Sequence, residues 1–383
     1  MTQFGNGRMV RIASPRHGDT RGFTLLEAMI GVLLTSLVVA GGFTILNSSV
    51  VTSAKNEQTV QTQQNARIAM ELLAQDLKAA GFGMLGLNPA TVTTTTALAT
   101  DTCNFGIVPG DANPVGNDTG PDQVRVVVPV VLSTLNANVT SGAVALPMQT
   151  GSLSPFLPTA VPALGNGAVV TIDGHYPSTI SAADANSVTL SSAITEKGTF
   201  PGCVAPCAAG TTSVPVYWLQ CIKYEIRTDA TCGGNAPCLV RGGIPVVEGI
   251  EDLQLAYACD GCVGVPGSTV PDGVIDDQVG SGAGFDQLDF VSNNAWGTAP
   301  MTPDSIRLVR ITVVARALRT NVAEQKGISQ ISTPSPLVVE DHIHANGVFT
   351  GGDLTGAALQ AYQRTPHRVL TRTIQLRNAG LTS

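Results

Sequence analysis

The feature that most constrains this chain is a short run near its N-terminus that joins a basic polar segment to a long apolar one. The run reads Arg21-Gly22-Phe23-Thr24-Leu25-Leu26-Glu27, and an apolar stretch then extends from Ala28 to Leu46. This stretch has no charged residue, and at 1.5 Å per residue it can cross about 28 Å of hydrocarbon as a helix. Glu27 lies at its edge, where a carboxylate is costly unless it is paired. The pattern predicts a helix that is held in a membrane.

Charge is distributed unevenly along the 383 residues. Residues 1–22 carry a net charge of +3, so residues 23–383 carry −10 of the formal total of −7. Positive charge before an apolar segment places that end in the cytoplasm, so we expect the acidic body to be exported. An acidic body is also a poor match for nucleic acid, because phosphate binding needs clustered lysine and arginine.

The apolar segment is placed differently from that of an ordinary secretory signal, in which a small-residue cleavage site follows the apolar core. Here the Gly22-Phe23 pair precedes the core, so we expect the core to stay in the mature protein. Together with Leu25, Leu26 and Glu27, this pair resembles the class III signal of type IV pilins and related pseudopilins. An uncleaved signal anchor is the alternative, but an anchor has no need for this combination of residues.

The resemblance implies a specific processing event and a specific role for one carboxylate. A prepilin peptidase would cut between Gly22 and Phe23 and would methylate the new amine of Phe23. Glu27 would then lie near the start of the mature helix, where it can pair with the N-terminal ammonium of an adjacent subunit. The alternative for Glu27 is an interfacial position facing lipid headgroups.

One long helix is predicted over residues 23–80, and its first half is the transmembrane segment. No proline interrupts this range. Its second half carries apolar residues at three- and four-residue spacing, which places them on one helix face. These residues are Ala66, Ala69, Met70, Leu73 and Leu77.

The rest of the chain reads as strands and loops, since it contains most of the 41 glycines and 23 prolines and has few aromatic residues. We expect a loop-rich region with a small β-subdomain at 81–200 and an antiparallel β-sheet body at 201–383, after the leader peptide 1–22 and the helix. Predicted strands cover 123–132, 168–173, 187–190, 222–227, 239–241, 244–247, 252–257, 306–318 and 369–378. The expected fold class is α+β.

An even number of cysteines agrees with an exported, disulfide-stabilised body. They are Cys103, Cys203, Cys207, Cys221, Cys232, Cys238, Cys259 and Cys262. Sequence alone leaves the connectivity open, although loop closure favours near neighbours. That preference would pair Cys203 with Cys207, Cys232 with Cys238 and Cys259 with Cys262, leaving Cys103 and Cys221 as the long bridge. The Cys259-x-x-Cys262 spacing also fits zinc, which is the less favoured alternative.

Four stretches in the second half resemble the PilW-type minor pilins of type IV pili. They read YEIR followed by CLVRGG, then VVEGIEDLQLAYACD, then RLVRITVVARA, and finally HRVLTRTIQLRN at 367–378. The order of these stretches and the closing LRN are the most specific elements, while residues 88–200 are not constrained by the resemblance. It implies an antiparallel sheet packed on the C-terminal half of the long helix.

The PilW-type proteins often carry an acidic loop after the tyrosine strand, and the corresponding loop here is altered. Asp260 is separated by an insertion from Asp272, Asp276 and Asp277. These carboxylates could contribute oxygens to a calcium ion, which needs six to eight of them on a tight loop. The spacing matches no EF-hand loop, which favours a solvated acidic turn. No other cofactor is expected.

The resemblance implies a minor pilin that acts in a tip or priming complex of the type IV pilus. Its expected partners are a prepilin peptidase, other minor and major pilins, and a tip adhesin. Before assembly it would reside in the bacterial inner membrane as a single-pass protein with its body in the periplasm, and afterwards in a pilus at the cell surface.

Two other functions keep the same N-terminal segment. One is a type II secretion pseudopilin of the J type, and the other is an adhesive or DNA-capturing pilus tip subunit, although strong nucleic-acid binding is not expected of an acidic body. An enzyme is not expected, because the sequence has no GxxxxGK[ST], HExxH or GxSxG motif.

Overall fold

The fold is described from a computed structural model of the chain. The residues described are 23–84, 91–95, 99–110, 120–157, 163–233, 236–261, 275, 289–292, 296, 301–318, 337–339, 342–344, 360 and 362–377. They form one long N-terminal helix and a set of antiparallel sheets, so the predicted α+β class is confirmed. The chain divides into two compact units, residues 1–54 and 55–383.

Helix α1 extends over Leu25–Ala79 without interruption. Its residues from Ala28 to Leu46, in the first unit, are mostly apolar and are all exposed, as expected of a helix that lies in lipid. In the second unit the predicted apolar face is buried: Ala66, Ala69, Met70, Leu73 and Leu77 are each at most 2% exposed. The helix ends before Gly81, whose φ of 76° is a left-handed conformation that glycine adopts without steric cost.

The described strands range from two to thirteen residues in length. Their bounds are β1 Val92–Thr95, β2 Thr100–Cys103, β3 Ile107–Gly110, β4 Gln123–Thr134, β5 Val139–Thr140, β6 Ala145–Pro147, β7 Val169–Ile172, β8 Tyr176–Ala183, β9 Ser187–Leu190, β10 Thr199–Phe200, β11 Pro215–Arg227, β12 Cys238–Arg241, β13 Ile244–Glu248, β14 Ile250–Cys259, β15 Ile306–Arg316, β16 Leu337–Val339, β17 His342–His344 and β18 His367–Gln375. Two 3₁₀ turns lie at Ser154–Phe156 and Pro303–Ser305.

Strand β11 organises the larger, nine-stranded sheet. It pairs with β4 along nearly its whole length, and on its other edge it pairs first with β7 and then with β12. The sheet continues through β7, β8, β9 and β6 at one end and through β12 and β13 at the other. A hairpin joins β12 to β13 through Gly242 and Gly243, both with positive φ, as a tight two-residue turn requires.

The smaller sheet has three antiparallel strands in the order β14-β15-β18. Strand β14 is buried on both faces, so its polar residues are buried with its apolar ones. Asp252 and Gln254 are fully buried, and the Gln254 amide donates to Asp252 Oδ1 at 3.1 Å and to the Gly120 carbonyl at 3.3 Å. The alternation along this strand therefore does not separate a core face from a solvent face.

The main core lies between α1 and both of these sheets. Buried side chains from the helix meet buried residues of β4, β11 to β15 and β18 in one apolar cluster. Val124, Val126 and Val128 of β4 belong to it, whereas Val127 points to the opposite face and packs near the β1–β2 hairpin. This period of two is the one expected for a strand covered on both faces.

A second core is formed within residues 132–218 by β5 to β10 and the adjoining ends of β4 and β11. The division of the chain at 200/201, with a small β-subdomain within 81–200, stays a prediction. Strands from both sides of residue 200 nevertheless pair in the nine-stranded sheet, so the predicted boundary between 200 and 201 does not coincide with a boundary between sheets. The physical reason is that β11 takes partners from both halves of the chain.

Candidate functional site

The start of α1 is built as a capped helix end. The Glu27 backbone N–H donates to Thr24 Oγ1 at 3.2 Å, and the Thr24 carbonyl accepts the first helical hydrogen bonds from Glu27 and Ala28. Thr24 followed by Glu27 three residues later is the capping-box pattern, which satisfies orphan N–H groups at a helix start. Phe23 and Glu27 are both exposed, and Gly22 lies outside the described residues.

The segment after this cap presents an apolar surface along its whole length. Leu25 is 80% exposed and Leu46 is 65% exposed, and the apolar side chains between them are exposed to a similar degree. The hydroxyls in the segment are satisfied internally, since Thr35, Ser36 and Thr44 donate to backbone carbonyls one turn earlier at 2.7 to 2.9 Å. Hydroxyls bonded in this way add little polarity to a lipid-facing helix. By length and composition α1 can cross a membrane.

A polar cluster fastens the second half of α1 to the larger sheet. Asp76 of α1 accepts at Oδ2 from the Tyr224 hydroxyl at 2.7 Å and from Arg241 Nε and Nη2, both at 2.8 Å. The Arg241 Nε also lies 3.0 Å from the Tyr224 oxygen. One carboxylate oxygen of Asp76 thus accepts hydrogen bonds from both β11 and β12. These bonds fix the position of the helix along its axis and its rotation about that axis.

The burial of this cluster changes the protonation equilibria of its members. Burial raises the pKa of the Tyr224 hydroxyl, and the neighbouring Asp76 carboxylate raises it further. Burial alone would lower the pKa of Arg241, but the hydrogen bond and the charge of Asp76 outweigh it and the pKa is raised. Tyr224 therefore stays a neutral donor and Arg241 stays a cation throughout the physiological range.

Sequence reasoning missed Asp76, because an acidic residue on a helix normally marks the solvent face. Tyr224 and Arg241 belong to two of the stretches that carry the PilW resemblance, YEIR and CLVRGG. These two residues were the available signal for an acidic partner, because a tyrosine and an arginine that are buried on paired strands both need a hydrogen-bond acceptor. The register Tyr224 opposite Arg241 brings them side by side.

A second polar cluster joins all three strands of the smaller sheet at one end. Glu251 of β14 lies 2.8 Å from His367 Nε2 of β18 and 3.6 Å from Arg316 Nη1 of β15. The His367 ring stacks on Tyr362 with centroids 4.4 Å apart. Each of the three strands contributes one charged or polar group from a different PilW-like stretch, so the cluster aligns their ends.

Three disulfides are described, and they are the pairs favoured from the sequence. Cys103 is joined to Cys221, Cys203 to Cys207, and Cys232 to Cys238. The first attaches the β1–β2 hairpin to β11, where the Thr94 hydroxyl also accepts from the Cys221 N–H at 2.9 Å. Cys259 is also disulfide-bonded. Cys262, its expected partner, lies outside the described residues.

Of the four candidate calcium ligands, only Asp260 lies among the described residues, so the calcium site stays a prediction. Asp260 is 2% exposed, and its Oδ2 lies 3.2 Å from the Arg307 guanidinium. An expectation of a solvated turn is therefore wrong at Asp260, because its carboxylate is held in an ion pair with β15. Asp272, Asp276 and Asp277 lie outside the described residues.

Replacing Asp76 by alanine is expected to lower the free energy of unfolding by about 2–3 kcal/mol, because Tyr224 and Arg241 lose their shared acceptor. The loss stays below that of a fully enclosed ion pair since the Arg241 side chain is 33% exposed. Chemical denaturation of the full chain in detergent, followed by the fluorescence of buried Trp218, measures it. Glu71→Ala is the matched control on the same helix, because the Glu71–Arg67 pair is exposed and contributes little. Equal losses for the two variants would contradict the role of Asp76.

Comparison with known proteins found a family match in the second half of the chain. Residues 229–378 match the family described as type IV pilus-assembly protein W. No curated protein has a significant sequence match to the chain. Among solved structures, a type IV-like pilin from Thermus thermophilus aligns at 9% identity and a TM-score of 0.29, covering 83% of this chain and 97% of that one.

The family match covers three of the four stretches recognised in the sequence and part of the other. It includes Arg241, Glu251, Arg316 and His367, whereas Tyr224 precedes it. The predicted resemblance is therefore confirmed over residues 229–378, which are similar in sequence to the family of type IV pilus-assembly protein W.

Proposed function

We propose that this chain is a minor pilin, a structural subunit of a type IV pilus that is stored in the inner membrane and assembled at the tip or priming complex. The observation that carries the proposal is the apolar surface of α1 from Leu25 to Leu46, on a chain whose residues 229–378 match a pilus-assembly family. A helix that is apolar on all sides is stable only in lipid or against other helices. Assembly would exchange one of these environments for the other.

Maturation by a prepilin peptidase would cut between Gly22 and Phe23. The cut falls before the helix and leaves the Thr24 cap on the mature chain, so α1 keeps its N-terminal hydrogen bonds. It removes a leader with a net charge of +3, which would otherwise hold this end in the cytoplasm. Methylation of the new amine of Phe23 would follow.

Glu27 would act as the assembly carboxylate. It lies in the first turn of α1 at the edge of the apolar segment. After cleavage, the ammonium of Phe23 in one subunit and the Glu27 carboxylate of the next would be carried together into an apolar environment. Each charge would offset the desolvation cost of the other, which favours correctly registered neighbours.

A place at the tip is supported by the size of the body. The subdomain with its own core, within residues 132–218, enlarges the sheet beyond the strands that cover α1. Such a body would be difficult to repeat along a tightly packed fibre and is easily accommodated at an end. The expected partners are other minor pilins, the major pilin and a tip adhesin.

The native chain isolated from cells is expected to begin at Phe23, to carry one methyl group on its amine, and to accompany sheared pili. Mass spectrometry of the intact subunit and of its N-terminal peptide measures all three. The membrane fraction of a strain without prepilin peptidase is the control, in which the chain should begin upstream of Gly22.

Two results would contradict the proposal. A mature chain that starts elsewhere would exclude prepilin processing. A correctly processed chain that is found only with secretion-channel components would instead assign it to a type II secretion pseudopilus.

A further inference from the structure

Strand β18 forms an edge of the three-stranded sheet. It runs antiparallel to β15 from His367 to Gln375 in a continuous register without a bulge, and it contains no proline. Among the described residues β15 is its one neighbour. Natural edges are usually shortened, bulged or interrupted by proline, because a regular open edge can pair with another strand.

Two hydrogen bonds at the ends of the β15–β18 ladder show which backbone groups of β18 point outward. The Leu376 N–H donates to the Arg307 carbonyl at 2.9 Å, and the Ala317 N–H donates to the Pro366 carbonyl at 3.0 Å. In an antiparallel ladder the bonded residues alternate, so the even-numbered residues 366 to 376 face β15. The N–H and C=O groups of Val369, Thr371, Thr373 and Gln375 therefore point to the open edge.

The side chains next to this edge have a definite chemical pattern. Arg368, Leu370 and Arg372 lie on the face of the sheet that carries the main core, and Leu370 is 36% exposed. Val369, 42% exposed, lies on the other face. Neither Arg368 nor Arg372 forms an ion pair in the part of the chain that the structure describes. This basic strand belongs to a body with a net charge of −10.

We propose that β18 is a docking edge for an extended strand of a partner protein, with acidic residues opposite Arg368 and Arg372 and an apolar residue opposite Leu370. The open backbone groups would give the affinity, and the charges would select the partner, as in other cases of strand addition. This inference goes beyond the proposed pilin function, because a partner strand could pair with β18 whether or not the subunit has been assembled into a pilus.

The same pattern argues against two other occupants. A second copy of β18 would bring arginines against arginines, and like charges across a strand pair are destabilising. Nucleic acid is a poorer match, because β18 interleaves its two arginines with valine, leucine and threonine. Its one aromatic ring, that of His367, is buried against Tyr362 and is not open to base stacking.

The test uses the full chain in detergent and a labelled, end-capped peptide, TETVVET, whose glutamates and central valine match the pattern of β18. We expect it to bind and to slow hydrogen exchange at Val369, Thr371, Thr373 and Gln375. Arg372→Glu should weaken binding at least about tenfold, because like charges then face each other. Lys78→Glu, the same charge change at an exposed position of α1, should leave binding unchanged.

Backbone pairing is tested separately from charge. Thr373→Pro removes one outward N–H while leaving the bonds to β15, so it should abolish peptide binding without unfolding the sheet. Equal binding of the lysine peptide TKTVVKT would overturn the proposal, as would unchanged binding in Thr373→Pro. Outward amides that are already protected in the unbound chain would also overturn it, and so would Arg372-dependent binding of a single-stranded oligonucleotide in place of the peptide.

Discussion

Glu27→Gln is expected to abolish incorporation of this subunit into pili while leaving its insertion and cleavage intact. The substitution removes the charge that would pair with the ammonium of a neighbouring Phe23, and an unpaired buried charge costs about 3–5 kcal/mol. That cost corresponds to at least about a hundredfold loss in assembly at each contact. Complementation of a deletion strain, followed by quantification of the subunit in membranes and in sheared pili, measures the effect.

Glutamine is more informative than alanine at this position. Glutamate and glutamine both satisfy the capping box that begins at Thr24, so the variant keeps the helix start and changes the charge. Glu57→Gln is the matched control, because Glu57 is an exposed acid on the same helix, beyond the apolar segment. Normal recovery of the Glu27→Gln subunit from pili would show that Glu27 faces headgroups and has no role in assembly.

The N-terminal element could be predicted almost completely from the sequence, because its information is local. The apolar run, the absence of proline and the spacing of the buried residues from Ala66 to Leu77 each follow from neighbouring positions. The observed helix, Leu25–Ala79, differs from the predicted range by one or two residues at each end. The strands β11, β12 and β15 were predicted for the same reason, since their alternation is visible within a few residues.

The arrangement of those strands could not be predicted in the same way. Strand β11 pairs with β4, which lies about ninety residues earlier, and with β7 across the expected domain boundary. Pairing over such distances is decided by which apolar faces fit together in the core, and no short window of sequence contains that information. Asp252 shows the same limit, because it reads as a solvent-facing residue and is buried between sheets.

The polar contacts that fasten the helix depend on the same long-range register. Asp76 has no distinguishing feature in the sequence, and its role appears only when β11 and β12 place Tyr224 and Arg241 beneath it. The Cys103–Cys221 disulfide differs because it could be inferred by pairing the closer cysteines first. Its sequence separation of 118 residues makes it the longest of the three described covalent links and gives it the largest expected effect on stability.

Replacing both Cys103 and Cys221 by alanine is expected to lower the free energy of unfolding by about 4–5 kcal/mol. The disulfide restricts the unfolded chain in proportion to the logarithm of the loop it closes, and a loop of this length lies at the upper end of that relation. Both cysteines are buried, at 0% and 1% exposed, so the variant also loses packing between the β1–β2 hairpin and the sheet. Thermal and chemical unfolding of the full chain in detergent, under oxidising conditions, measures the change.

Removal of the Cys203–Cys207 disulfide provides the matched comparison, because the same chemistry is changed in a loop whose cysteines are 4 residues apart. The same relation gives about 2 kcal/mol for so short a loop. The stability difference between the two double variants therefore isolates the contribution of loop length and hairpin attachment from that of cysteine removal itself. The hairpin should also exchange its amide hydrogens faster in the Cys103/Cys221 variant alone. Equal destabilisation, with unchanged exchange in the hairpin, would mean that the hydrogen bond from the Cys221 N–H to Thr94 and the apolar contacts around it already hold the hairpin in place.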